Sequence, residues 1–352
     1  MKREHKNDIC VGKEADMNWN KHKIYIIAEI GGNFTTYEQA ARLIDEAAAC
    51  GVDAVKLQTY RAETLSSTKA MFDMENTGVM SQFELFDEYS VGEELHRQVF
   101  AYAKEKGLDI FSSPSHKSDV DMLERLGCDA YKIGSDDAVN LPLLRYIAAL
   151  GKPIVYATGM CTLEEVRESV DAMLAQGNSQ ITILHAITAY PTHPEDVNLR
   201  AMQTLAAAFP QLAVGYSDHT LGINACICAA AMGARMLEKH FTYDKHADGP
   251  DHMHSADPQE MKAIVDAVRE FELMRGSGIK MPAKAEAGTR INNRKSIVLC
   301  SDVKAGEPIS AQAVDIKRPG YGIGPKYLEQ VIGRRAARDL QKEDILTWED
   351  LA

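Results

Sequence analysis

Short apolar runs and longer amphipathic stretches alternate along most of this chain. The runs are Ile24–Ile30, Ala54–Gln58, Asp109–Ser113, Ala130–Gly134, Pro153–Thr158, Ile181–His185, Ala213–Ser217 and Met236–His240. Between them lie Tyr37–Cys50, Val91–Lys106, Val120–Leu126, Leu141–Leu150, Leu163–Ala175, Leu199–Phe209 and Ile223–Met232. In these stretches apolar residues recur every three to four positions, the spacing of a helix lying on a sheet. Glycines such as Gly51, Gly107 and Gly151 follow the helical stretches, where a left-handed C-cap belongs. Eight strand–helix repeats over about 250 residues predict an α/β fold, a (β/α)8 TIM barrel. An open doubly wound sheet usually has fewer strands and often a glycine-rich phosphate loop, and the chain shows neither.

One connection, Thr59 to Ser90, is long for a compact barrel and includes Met71–Gly78. Following the second strand, it is expected as a functional loop on the active face. Met261–Met274 reads as the closing helix, and the composition then shifts to Gly, Pro and Lys. The expected organisation is a barrel over 1–274 with an N-terminal extension at 1–22, a linker at 275–288 and a small β-rich module at 289–352.

Composition narrows the partners. A hydrophobic content of 45% suffices for a large core, and a formal charge of −12 without a basic block argues against nucleic acid or an anionic membrane. No apolar run approaches the roughly 18 to 20 residues of a membrane span. The start, Met1–Asn7, is polar, and the seven cysteines are scattered without a CxxC pair. Reduced thiols and a cytoplasmic location are expected.

Barrel chemistry sits at the carboxyl ends of strands. Here those ends carry Glu29, Lys56, Gln58, Ser113, Lys132, Ser135, Asp137, His185, Tyr190, Ser217, His219 and His240. A stable core needs none of these charges, so their coincidence on one predicted face reads as an active site. His219 and His240 end adjacent strands, which lie about 4.8 Å apart. Two imidazoles there can share one divalent ion and leave positions open for water and a substrate oxygen. Nitrogen and oxygen donors without sulfur suit Mn, Zn or a related metal. Lys56 and Lys132, with the small hydroxyls of Ser113, Ser135 and Ser217, suit a phosphate or carboxylate.

The stretches Ala28–Gly31, Lys56–Thr59, Tyr131–Ser135, Thr158–Met160, Tyr190–Thr192, Ser217–Thr220, Glu238–Thr242, Gly249–Asp251 and Lys317–Gly320, in this order, resemble the sialic acid synthase family. Its members make N-acetylneuraminate, legionaminate or pseudaminate. The resemblance spans roughly Lys23 to Leu351. It implies a catalytic barrel followed by an antifreeze-like (SAF) domain, and condensation of phosphoenolpyruvate with an N-acyl mannosamine-type sugar. It further implies a divalent metal, Mn2+ first and Mg2+ or Co2+ as alternatives, on His219 and His240. Phosphoenolpyruvate is placed near Lys56, Ser113, Lys132, Ser135, Tyr190 and Ser217, and the sugar near Gln58, Asn76, Asp137, Tyr190 and Asp251. Arg318 is expected to reach the sugar's N-acyl group in a partner's barrel, which implies a domain-swapped homodimer. Glu29 is expected either to activate water or stabilise the developing oxocarbenium, or to pair with Lys56.

Some positions depart from the family pattern: Phe34 for a histidine, Ala157 for a serine, Thr188 for an asparagine and Asp137 for a glutamate. They leave the sugar open, including a 6-deoxy diacetamido sugar as in legionaminic or pseudaminic acid synthases. Two other readings of the same residues stay open. One is a pyruvate aldolase with a Schiff base on Lys132 or Lys56; the other is a non-catalytic sugar-binding paralogue.

Overall fold

A computed structural model describes residues 23–74 and 78–352. The expected extension at 1–22 and the expected sugar contact Asn76 lie outside the described residues. The chain divides into two compact units, one ending at Gly276 and one beginning at Ser277.

The first unit is a closed barrel of eight strands: β1 Tyr25–Glu29, β2 Ala54–Thr59, β3 Asp109–Pro114, β4 Tyr131–Ile133, β5 Ile154–Ala157, β6 Ile181–Ala186, β7 Ala213–Asp218 and β8 Met236–His240. Each strand pairs in parallel with its sequence neighbours, and β1 closes the ring on β8. Glu29 stands opposite both His240 and Lys56, and Lys239 stands opposite Asp218. Side chains alternate across a strand. This register therefore sends Glu238 and His240 to the inside while Asp218 and Lys239 face the helices.

The helices form where the spacing predicts. Tyr37–Cys50 buries Ala40, Leu43, Ile44, Ala47 and Cys50, one stripe of a 3.6-residue period. It opens with a Thr36–Gln39 capping box and ends at Gly51, whose φ of 83° favours glycine. The helix expected at Val120 already starts at Lys117, because the His116 side chain accepts the Ser118 N–H as its cap.

The Thr59–Ser90 connection is more ordered than a loop. It holds a helical turn at Ala62–Leu65, an antiparallel hairpin of Met71–Met74 with Gly78–Ser81, and a helix at Gln82–Tyr89. Four-residue strands are too short to show a period, so only their pairing reveals them. The second unit has one antiparallel pair, β9 Ser296–Leu299 with β10 Val314–Lys317, and several isolated bridges. Its own core is built on Ile297, Leu299, Ile309, Val331 and Leu346. A 3-10 turn at Lys284–Glu286 lies in the stretch expected as linker, and a helix at Ala287–Asn292 runs from its end into the small module.

Candidate active site

At the carboxyl end of the barrel lies a cavity of about 620 Å3. Its lining includes Lys56, Gln58, Ser113, Lys132, Ser135, Asp137, Tyr190, Ser217, His219, His240 and Asp251. Most of the side chains singled out by the strand-end argument thus share one space.

The floor is a cluster of buried charges. Lys56 pairs with Glu29, which is fully buried and does not line the cavity. The other Glu29 oxygen accepts the Gly31 N–H at 2.5 Å. Gly31 is required there, since a Cβ would meet the Gln58 backbone nitrogen at 2.7 Å. Lys56 Nζ also donates to Ser113 Oγ at 3.2 Å. Glu238 Oε1 gathers Lys132 Nζ at 3.3 Å, Lys56 Nζ at 3.8 Å and the Ser217 hydroxyl at 2.9 Å. Burial opposes a charge on Glu238, yet Lys132, Lys56 and the Ser217 bond outweigh it and hold the acid at about 2. Burial lowers Lys56 to about 7 against the pull of Glu238.

Beside the floor is a corner of imidazoles. The His219 and His240 rings lie 5.5 Å apart, and Tyr190 packs on His219 at 4.3 Å between centroids. His219 Nδ1 lies 2.6 Å from the Ile187 carbonyl, which fixes that nitrogen as a donor and leaves Nε2 with its lone pair. Burial, then the neighbouring His240, lowers His219 to about 3 and keeps it neutral. His240 Nδ1 stands 3.2 Å from Asp251 Oδ2. Donor atoms of His240, Asp251 and His254 all lie within 4.8 Å of one another, a geometry open to a metal ion. Both His254 nitrogens are buried without a hydrogen-bond partner. His219 falls outside that triad, and His240 is common to both groupings. This donor set of imidazoles and one carboxylate fits a divalent ion.

The far wall is apolar. Tyr60, Phe72 and Phe86 stack edge to face, Phe86 lying 5.2 Å from Tyr60 and 5.6 Å from Phe72. Elsewhere at the mouth, Ser135 Oγ accepts the Gly159 N–H at 3.0 Å, and Asn140 donates to Asp137 at 2.7 Å. Burial raises Asp137 to about 6.

One expected residue turns away from the site. His185, expected with the other histidines, turns to the helix side; its Nε2 bonds the Val197 carbonyl at 2.7 Å and its ring lies 6.0 Å from Tyr216. On β6 it has the parity of the outward residues, which a strand-end count ignores. Arg318 belongs to the second unit, where it is exposed after β10. Phe34 joins the barrel core, whereas Ala157 and Thr188 line the cavity. Sequence reasoning omitted Glu238 and His254 from the site. Glu238 was legible, being two residues before His240 and so on the same face. His254 comes from the loop after β8, and its only signal is the density of histidines in Asp251–His254.

A closed parallel barrel with two buried lysines and an imidazole corner at its mouth defines a barrel enzyme for a small anionic substrate. Residues 43–280 match the NeuB family and residues 294–352 match the SAF domain. The chain belongs to the NeuB family. It is 40% identical over 336 residues to the N,N'-diacetyllegionaminic acid synthase of Legionella pneumophila, covering 93% of this chain and 94% of that one. It is 36% identical over 337 residues to a pseudaminic acid synthase of Campylobacter jejuni, covering 93% and 96%. The crystal structure of an N-acetylneuraminic acid (sialic acid) synthetase from Leptospira borgpetersenii in complex with citrate superposes with a TM-score of 0.68 at 28% identity, over 76% of this chain and 90% of that one. No helix among the described residues is long and apolar enough to cross a membrane.

Proposed function

We propose that this enzyme condenses phosphoenolpyruvate with the open-chain form of an N-acyl mannosamine-type sugar, giving a nine-carbon 2-keto sugar acid and phosphate. The observation that carries the reading is the Lys56–Glu238–Lys132 floor beside the His219–His240 corner in one cavity.

The residues divide the work. Lys56 and Lys132 take the phosphate and carboxylate of phosphoenolpyruvate, aided by the hydroxyls of Ser113, Ser135 and Ser217, and hold its C3 in line with the aldehyde. As C3 attacks, positive charge grows at C2, and ionised Glu238 is placed to offset it. Water adds at C2 and phosphate leaves with C–O cleavage. Glu29, already engaged by Lys56 and Gly31, fits the pairing role better than that of a free base. Gln58, Asp137, Tyr190 and Asp251 meet the sugar. A divalent ion, Mn2+ before Mg2+ or Co2+, would be held by His240 and His219 with Asp251 alongside, and supplies Lewis-acid polarisation of the aldehyde oxygen when bound. His219 is preferred to His254 as second nitrogen ligand because its other nitrogen already has a backbone partner, the usual support of a ligating histidine. Arg318 reaches the N-acyl group from a second copy of the chain, in a domain-swapped homodimer.

The aromatic wall favours a narrower substrate. Among the described lining residues, Lys56 and Lys132 are the only lysines or arginines, and both lie on the floor. No described lining residue offers a sugar phosphate a cation at the aromatic end, whereas the methyl group of a 6-deoxy diacetamido sugar would lie against Phe72 and Phe86.

The test is phosphate release from phosphoenolpyruvate with N-acetylmannosamine, its 6-phosphate and a 6-deoxy diacetamido mannose, with and without Mn2+, the product being weighed by mass spectrometry. Metal-dependent release with one of the unphosphorylated sugars is expected. Release with none, or borohydride trapping of pyruvate on Lys56 or Lys132, would sink the reading.

A further inference from the structure

Behind the imidazole corner, on the helix side of the sheet, β7 and β8 are joined by a buried ion pair that the chemistry above leaves unused. Lys239 Nζ donates to Asp218 Oδ2 at 2.6 Å and to the Thr220 carbonyl at 2.7 Å. Asp218 Oδ1 accepts the Thr220 N–H at 2.9 Å and the Tyr216 hydroxyl at 3.0 Å. The Cys226 thiol approaches Oδ2 at 3.3 Å. The two side chains are 0% and 3% exposed. Three of these contacts thus close on the pair itself or on the backbone of Thr220, the residue after His219.

We infer that Asp218 and Lys239 are positioning residues: by clamping both backbone groups of Thr220 and tying β7 to β8, they set how His219 and His240 enter the mouth. Side chains alternate across a strand, so fixing the outer face fixes the inner one. Asp218 lies between Ser217 and His219 in sequence, and Lys239 between Glu238 and His240. On the mouth side His219 is held by its ring bond to Ile187 and by the Thr192 N–H on its carbonyl at 2.9 Å. An apolar pair of similar volume would fill the space without desolvating two charges, so stability alone does not call for an ion pair here. Orientation of the strand ends does, because an apolar pair has no means of holding the Thr220 peptide groups.

The inference rests on the metal reading above, and its test separates the two. A single charge left buried endangers folding, so the main variant is the double Asp218→Leu/Lys239→Met, which leaves none. Asp218→Asn, which keeps the shape, is measured beside it, so the outcome does not depend on one variant folding. Mn2+ affinity is read by calorimetry on each protein, with the melting curve as a check of folding. Val268→Ala, in the buried face of the helix Pro258–Met274, serves as a control that loosens the core without touching the pair. Affinity for Mn2+ is expected to fall about 10- to 100-fold in the pair variants, as when the outer partners of metal ligands are removed. The control is expected to keep the parent affinity while melting earlier. Parent affinity in a folded pair variant would overturn the inference. A parent that binds no Mn2+ would overturn the metal reading and the inference together.

Discussion

Lys56 and Lys132 converge on one oxygen of Glu238, and Lys56 also pairs with Glu29, so the floor of the mouth sets two lysines against two acids. Substrate anions would exchange some of that internal pairing for their own. Lys132→Met is therefore expected to raise the KM for phosphoenolpyruvate about 10- to 100-fold, the range for losing a hydrogen bond to a charged group. Steady-state kinetics at saturating sugar would show it, and an unchanged KM would remove Lys132 from the site. Asp137 gives a second prediction. Burial raises its folded pKa from 3.8 to about 6, so between these values the folded state holds more protons than the unfolded chain. Stability from this group is then present at low pH and lost as pH rises through that window. Asp137→Asn is expected to flatten the fall in melting temperature between about pH 4 and about pH 6. A melting series that keeps the parent slope would contradict the assignment.

At the scale of elements, the strands deliver the chemistry and the helices hold the strands. The helix Pro258–Met274 starts at Asp257, which accepts the Glu260 N–H at 2.9 Å while Glu260 accepts the Asp257 N–H at 3.2 Å. Asp257→Ala is expected to cost about 1 kcal/mol in chemical denaturation, with kcat unchanged, because the cap is far from the chemistry in function though close in sequence to Asp251. The connection between β2 and β3 acts differently. Its hairpin and helix contribute Phe72 and Phe86 to the aromatic wall. Phe86→Ala is expected to raise the KM for the sugar and leave that for phosphoenolpyruvate in place, a split that kinetics with each substrate varied in turn would reveal.

At the scale of the whole molecule, Arg318 belongs to one compact unit and the cavity to the other. In the proposed dimer each site draws its barrel from one chain and Arg318 from the other. Arg318→Ala and His240→Ala are each expected to be inactive alone. Mixed after dissociation and reassembly, they are expected to regain partial activity, since a mixed dimer has one site with both residues intact. No recovery from mixtures shown by mass to contain mixed dimers would place Arg318 on its own chain's barrel or outside the chemistry.

Periodicity by itself determined the eight strands, most helices and the end of the barrel on which the chemistry lies, because burial imposes a period on any strand or helix packed against a core. It also marked Lys56, Lys132, His219 and His240, since charged residues at the ends of buried strands stand out against an apolar background. Which way a side chain faces was decided by register. Closure of the ring placed Glu29 between His240 and Lys56, brought Glu238 to both lysines and turned His185 away. The hairpin and His254 lay in segments without a period and became visible only through pairing and proximity. The same holds for Asp218 and Lys239, far apart in sequence and joined because two neighbouring strands put them side by side.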